Sequence, residues 1–175
     1  ARRGATTLAY GDGPRPTRVT NPDGTSHEYT YTPFGALSDV TDETGSVTRF
    51  IYDDAGRLMG QRDELGKEVT FAYAGNNIVR ATDEMGHTTV FEYDDADHII
   101  RQIDSLGDVK ASSYDANGNL ASLTDSLGNT TAFTYDALDR VIATTDPLGH
   151  VTTFQYDAFG NQTEGVDRNG MPRVF

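Results

Sequence analysis

A chain of 175 residues has the length of one ordinary domain, and its net charge of −13 makes phosphate backbones and anionic lipid headgroups poor partners. It has no cysteine, which excludes disulfides, thiolate metal sites and a cysteine nucleophile. No stretch is apolar and long enough to form a membrane-spanning helix, and Ala1 to Tyr10 hold two arginines but no apolar signal-peptide core. The chain has no initiator Met and stops on Phe175 in mid-pattern, so it reads as an excised piece of a longer protein. Eighteen glycines with frequent Thr, Tyr, Phe and Val favour strands and turns over helices.

In chain order, Leu8 and Tyr10 open the pattern as a pair two residues apart, followed by a turn from Asn21 to Gly24. Tyr29 and Tyr31 form the next pair, Gly35 a second kind of turn, and Leu37 opens the returning strand. The unit then recurs: turn Asp42 to Gly45, pair Phe50 and Tyr52, turn Asp53 to Gly56, Leu58. After the turn from Asp63 to Gly66 come Phe71 and Tyr73, and here the second turn, Ala74-Gly75-Asn76, is one residue short before Ile78. The turn from Asp83 to Gly86 leads to Phe91 and Tyr93, then Asp94, Asp97 in the glycine position, and Ile99. Asp104 to Gly107 precedes Ser112 and Tyr114, then Asp115, Gly118 and Leu120. Asp125 to Gly128 precedes Phe133 and Tyr135, then Asp136, Asp139 in the glycine position, and Val141. Asp146 to Gly149 precedes Phe154 and Tyr156, then Asp157 and Gly160. Asp167 to Gly170 begins another unit, whose aromatic falls at Phe175.

Eight tyrosines thus recur every 21 residues, with one interval of 20 between Tyr73 and Tyr93. Residues i and i+2 share one face of a strand but lie on opposite flanks of a helix, so the aromatic pairs predict strands. Asp bonds its own backbone two residues on, and Gly adopts positive φ without steric cost, so D-x-x-G predicts a turn. Asp97 and Asp139 stand in for glycine because Asp and Asn tolerate left-handed φ better than other side chains. The shortened repeat loses its residue inside a turn, where a strand would slip register.

Each repeat is therefore a β-hairpin joined to the next by another turn. The expected architecture is all-β: one array of about eight hairpins over 1–175, an open, curved, spiralling antiparallel sheet. One hairpin cannot bury its aromatic face alone, whereas stacked hairpins make a continuous stripe. That stripe is expected to be buried and to stabilise the array, at about 1.5–3 kcal/mol per large side chain. Cut ribbons of this kind present unpaired strand edges, which predicts end-to-end association.

The sequences Tyr52-Asp53-Asp54-Ala55-Gly56-Arg57-Leu58 and Tyr135-Asp136-Ala137-Leu138-Asp139-Arg140-Val141, each preceded by D-x-x-G and an aromatic, resemble the YD repeat. That repeat belongs to Rhs proteins, to the C component of insecticidal toxin complexes and to teneurins, and the D-L-G and D-P-L-G phrasing is most similar to the bacterial Rhs proteins. The resemblance spans nearly the whole chain. Ser112, Ala74 after Tyr73, and Asn119 and Asn161 in place of Arg depart from it without breaking it. It implies a ribbon wound into a hollow shell that encloses a C-terminal toxin domain for delivery to another cell. Its implied partners are the remaining repeats of the parent chain and the enclosed toxin, with secretion-system or glycan partners also open to it. Its implied location is outside the bacterium or on its surface. About eight repeats are too few to close such a shell.

Four features invite a chemical reading, and each has a plainer one. Asp146-Pro147-Leu148-Gly149 matches the paired D-P-x-G motifs that the resemblance associates with self-cleavage, but its counterpart Asp167-Arg168-Asn169-Gly170 lacks the proline, and proline presets φ in any turn. Asp115, Asn117 and Asn119 open like a calcium loop, but Leu120 stands where glycine is needed and no Glu closes twelve residues. His87 and His150 share one repeat position that elsewhere holds Ser46, Lys67, Asp108 or Asn129, which marks a variable surface site. Asn129-Thr130-Thr131 and Asn161-Gln162-Thr163 match the glycosylation sequon, as a Thr-rich chain does by chance.

The expectation is a structural protein, with no catalytic residue, no cofactor and no metal. The residues that matter are Tyr31, Tyr52, Tyr73, Tyr93, Tyr114, Tyr135 and Tyr156, Phe50, Phe71, Phe91, Phe133 and Phe154, and Gly45, Gly66, Gly86, Gly107, Gly128 and Gly149. The rival expectation is an adhesion or carbohydrate-binding module that uses the same aromatics exposed.

Overall fold

The computed structural model describes residues 5–167 and 169–174; Arg168 and Phe175, both used in the sequence pattern above, lie outside them. The described residues form seventeen strands and no helix. They fall into two compact units, the first ending at Thr88 and the second beginning at Thr89.

In the first unit the strands are β1 (Thr7–Tyr10), β2 (Pro16–Thr20), β3 (Ser26–Tyr31), β4 (Leu37–Thr41), β5 (Val47–Tyr52), β6 (Leu58–Arg62), β7 (Glu68–Ala74) and β8 (Asn77–Thr82). Each pairs antiparallel with its predecessor, so the sheet is a meander of hairpins. The second unit repeats the arrangement in β9 (Thr88–Tyr93), β10 (Ile99–Ile103), β11 (Val109–Tyr114), β12 (Leu120–Thr124), β13 (Thr130–Tyr135), β14 (Val141–Thr145), β15 (Val151–Tyr156), β16 (Gln162–Val166) and β17 (Pro172–Val174). The antiparallel hairpin array expected from the period is the fold observed.

The turns form as their residues require. In the turn from Asp42, the Gly45 amide donates to the Asp42 carbonyl at 3.0 Å and the Asp42 amide to the Ser46 carbonyl at 3.0 Å. Gly45 has φ +87°. This is the three-residue hairpin loop that needs a left-handed residue at its end. Asp97 and Asp139 occupy the same place with φ 66° and 59°, as their substitution for glycine implies. In the short repeat β7 and β8 pair out to Ala74 and Asn77, leaving only Gly75-Asn76 as the loop, with Gly75 at φ 58°. Positive φ at the first of two loop residues suits a tight hairpin.

Two kinds of hairpin alternate. Across each turn that follows a tyrosine, the strands carry a β-bulge: Tyr52 pairs with Leu58 but Ile51 with Gly60, so Met59 is extra. The same shift occurs beside Tyr10, Tyr31, Tyr73, Tyr93, Tyr114, Tyr135 and Tyr156. The strands that link one repeat to the next have no shift and pair over three residues, as in Gly60↔Thr70, Gln61↔Val69 and Arg62↔Glu68. Gly60 is required there, because a Cβ on it would lie 2.4 Å from the Val69 carbonyl oxygen.

The expectation of a buried aromatic stripe is corrected. Phe50, Phe71, Phe91, Phe133 and Phe154 and the tyrosines from Tyr31 to Tyr156 are half-buried, and among the described residues only Gly60 and Gly165 are buried. In each unit a single layer covers its aromatics from one side and by their neighbours in the row only. Leu8 and Tyr10, on β1, are exposed. The face opposite the stripe is polar. In the first unit it carries directly paired ions, Arg18 with Glu28 at 3.2 Å, Asp39 with Arg49 at 2.8 Å and Arg62 with Glu68 at 2.8 Å. In the second it carries Arg101 with Glu92 at 2.9 Å and hydroxyl pairs such as Ser113 with Ser122 at 2.6 Å.

Candidate functional site

The side chains that act together are those of the turn after each tyrosine, and what they hold is the following repeat. Asp53 shows every part. Its Oδ1 accepts the amides of Ala55 at 3.0 Å and Arg57 at 2.8 Å, which fixes the turn. Its Oδ2 accepts Nε of Arg57 at 2.7 Å, and a second guanidinium nitrogen lies at 2.7 Å. The guanidinium so held lies over the ring of Tyr73, one repeat on, with Cζ 4.7 Å from the ring centre, and also donates to the Gly75 carbonyl. The Tyr73 hydroxyl donates back to the Leu58 carbonyl at 2.9 Å. Leu58 is the residue paired with Tyr52 at the bulge, beyond the last pair of the ladder between β6 and β7. The hydroxyl therefore joins the two repeats where the strand ladder between them has ended, giving a main-chain acceptor the partner it needs.

The circuit recurs. Asp136 holds Arg140 at 2.7 Å, Arg140 lies 4.7 Å from the centre of the Tyr156 ring, and the Tyr156 hydroxyl donates to Val141 at 2.8 Å. Arg15 lies over Tyr31 at 5.6 Å, and Tyr31 donates to Pro16 at 2.8 Å. His98 replaces the arginine in its repeat: Nδ1 lies 3.1 Å from Oδ2 of Asp94, and its ring stacks on Tyr114 at 4.5 Å and 21°. Tyr114 then donates to Ile99 at 3.2 Å, and Tyr135 to Leu120 at 3.0 Å. Asn119, in the arginine position, reaches Asp115 at 3.2 Å and Asp139 of the next turn at 2.7 Å.

Charge follows geometry. Asp53, Asp94 and Asp115 are held below the ordinary carboxylate range chiefly by the amide of the residue four on, and Asp136 and Asp157 chiefly by that residue's side chain. A hydrogen bond to the ionised form favours ionisation.

The features that invited chemical readings are turns of the same build. Asp115 uses Oδ1 on the amides of Asn117 and Asn119, both at 2.9 Å, so the calcium-like opening is occupied in closing a hairpin. Asp146 uses Oδ1 on the amides of Leu148 and His150, both at 2.9 Å, as the linking turns without proline do. His87 and His150 place Nδ1 3.0 Å from the aspartate of their own turn.

The sequence marked the tyrosines, aspartates and glycines but not the circuit that joins them. The available signal was the 16-residue interval from each Arg or His to the tyrosine it covers, Arg15 to Tyr31, Arg57 to Tyr73, His98 to Tyr114 and Arg140 to Tyr156.

The RHS Repeat family matches residues 31–68, 52–84, 114–151 and 135–170, together more than half of the chain. No curated relative matches. Among solved structures, the chain is similar to the crystal structure of TcdB2-TccC3-Cdc42, with a TM-score of 0.68 and 21% identity over 81% of this chain. It is likewise similar to the Photorhabdus luminescens Tc holotoxin pore carrying a TccC3 mutation, with a TM-score of 0.68 and 20% identity over 86% of this chain. TcdB2-TccC3-TEV gives a TM-score of 0.69 and 20% identity over 85%. The chain spans 9% of the length of each of these chains.

Proposed function

Because this chain belongs to the RHS repeat family, we propose that it is a wall segment of a shell that encloses a C-terminal toxin domain and helps deliver it, with no catalysis of its own. One observation carries the reading: in the turns that hold Arg57, His98, Asn119 and Arg140, polar side chains reach and hold the next repeat. Asp53, Arg57 and Tyr73 each bond a neighbour within the array, and so do Asp136, Arg140 and Tyr156. A wall needs such joints, because each repeat of an array is stable only through its neighbours.

The repeat pattern continues past residue 88, across the one shortened interval from Tyr73 to Tyr93, which supports reading the chain as one array of repeats. The partners in this reading are the other repeats of the parent chain and the enclosed toxin, and the place of action is outside the producing bacterium. The adhesion reading would use the aromatics as a sugar-stacking surface; their half-burial and their bonds to the preceding repeat favour the wall.

The test is limited proteolysis of the full parent chain, followed by mass spectrometry. A shell leaves a C-terminal segment protected and bound to the repeats. A C-terminal segment digested freely while the repeats persist would reject enclosure and favour adhesion.

A further inference from the structure

We infer that Asp139 stands in its turn as the acceptor of the preceding turn, and that asparagine in one turn with aspartate at the glycine position of the next is a second kind of joint, beside the arginine kind. It concerns the array itself and stands whether or not the array encloses a toxin. Two amide side chains of the turn after Tyr114 converge on one oxygen: Oδ1 of Asp139 accepts Nδ2 of Asn117 at 2.9 Å and Nδ2 of Asn119 at 2.7 Å. Asn119 also donates to Oδ2 of Asp115 in its own turn at 3.2 Å, so one amide bridges the carboxylates of two successive turns. Hydrogen bonds to an ionised acceptor are stronger than those between neutral groups.

The backbone does not choose aspartate. Asp139 has φ 59°, and its amide donates to the Asp136 carbonyl at 3.1 Å. Gly118 and Gly160 fill the same place in their turns with φ +87° and +88° and the same amide bond, and glycine does so without steric cost. What differs is the residue that the preceding turn sends forward. Arg15, Arg57, His98 and Arg140 are followed by Gly35, Gly75, Gly118 and Gly160, and Ala36, which has no polar group, by Gly56. The arginines find their acceptors in the main chain, Arg57 at Gly75 and Arg140 at Asp157, and cover the next tyrosine. Beside His98 there is little room, since a Cβ on Gly118 would lie 3.3 Å from the imidazole. Asn119 has a shorter side chain and no charge, and the turn after it supplies a carboxylate. The sequence repeats this pairing of residue types: Asn77 precedes Ile78 as Asn119 precedes Leu120, and Asp97 follows Asn77 at the same interval of twenty residues. Both glycine positions that hold aspartate thus follow asparagine.

Equilibrium chemical unfolding of the 175-residue chain tests this with a mutant cycle. Asp139→Gly relieves a side chain held at left-handed φ, so an aspartate that merely stands in for glycine should respond alike whether or not the amides precede it. The joint predicts a different response. The change that Asp139→Gly makes in the unfolding equilibrium constant should differ by at least about threefold between the parent and the variant carrying Asn117→Ala and Asn119→Ala, with glycine the better residue in the variant. Asp139→Asn keeps an acceptor oxygen and the tolerance of left-handed φ without the charge, and should retain part of that coupling. A second reading does not depend on stability. The side-chain amide protons of Asn117, followed by NMR as pH falls, should shift as the Asp139 carboxylate takes up its proton, and Asp139→Asn should remove that shift. Equal effects of Asp139→Gly in the two backgrounds, or an Asn117 shift unchanged in Asp139→Asn, would overturn the inference and leave Asp139 as a substitute for glycine.

Discussion

The tyrosine turns and the linking turns share one backbone. In both, an aspartate carbonyl accepts the amide three residues on, and in both the Oδ1 of that aspartate caps the loop, as at Asp53 and Asp83. They differ in the strands they join and in what the residue after the loop does. The tyrosine turns close bulged hairpins and carry Arg, His or Asn, which reaches the next repeat. The linking turns close unbulged three-pair ladders, and those from Leu65 to Leu148 carry exposed Leu or Met at the tip, as the tyrosine turns do with Leu138 and Phe159. Both turns present tip side chains outward, and the tyrosine turns in addition serve cohesion along the array. The bulge is the device that separates them: it ends the ladder early and leaves a carbonyl for the next tyrosine.

The largest expected effect comes where backbone meets backbone. Gly60→Ala forces its Cβ against the Val69 carbonyl, and chemical denaturation should show a loss of about 2–3 kcal/mol. Gly45→Ala, where only the left-handed φ of +87° opposes it, should cost about 1–2 kcal/mol. Equal losses at the two sites would deny that close approach sets Gly60 apart.

Next comes the joint. Tyr73→Phe removes the hydroxyl that serves the Leu58 carbonyl and should cost about 1 kcal/mol. Arg57→Lys keeps the charge but loses the flat stack and the two-pronged grip on Asp53, and should cost about 0.5–1 kcal/mol. The smallest effect belongs to the other edge: Leu65→Ser should change stability by less than about 0.5 kcal/mol. A loss there as large as at Tyr73 would erase the distinction between the edges.

Acidity probes the aspartates of both edges together. Asp53 and Asp136 ionise below the ordinary value of 3.8 in the fold, so the unfolded chain takes up their protons first as pH falls. Their contribution is complete above the unfolded value and is lost as pH falls through the folded one. Thermal unfolding should therefore be steady near neutrality and fall steeply below about pH 4. Asp53→Asn should flatten that fall in part.

The turns were legible because Asp and Gly answer local demands and leave their identity at fixed positions; Asp97 and Asp139 were readable even where glycine was missing. Leu58, Ile99, Leu120 and Val141 were visible as a column, and they prove to be the partners of the tyrosines. The bulge was not legible, because the extra residue is Met59, Ala121 or Ile142 in different repeats and carries no common chemistry. The tyrosine hydroxyl bond was hidden because its acceptor is main chain, which any residue supplies. Burial was overestimated because periodicity reports which face an aromatic shares, and a second layer to cover that face leaves no mark in the period.

A double-mutant cycle between Arg57 and Tyr73, sixteen residues apart in neighbouring repeats, tests the joint most directly. Arg57→Ala, Tyr73→Leu and the pair would be compared by equilibrium unfolding. The interlocked turn predicts a coupling of about 0.5–1 kcal/mol. Additivity within about 0.3 kcal/mol would mean that the two side chains only lie near each other, and that the ladder alone holds the repeats together.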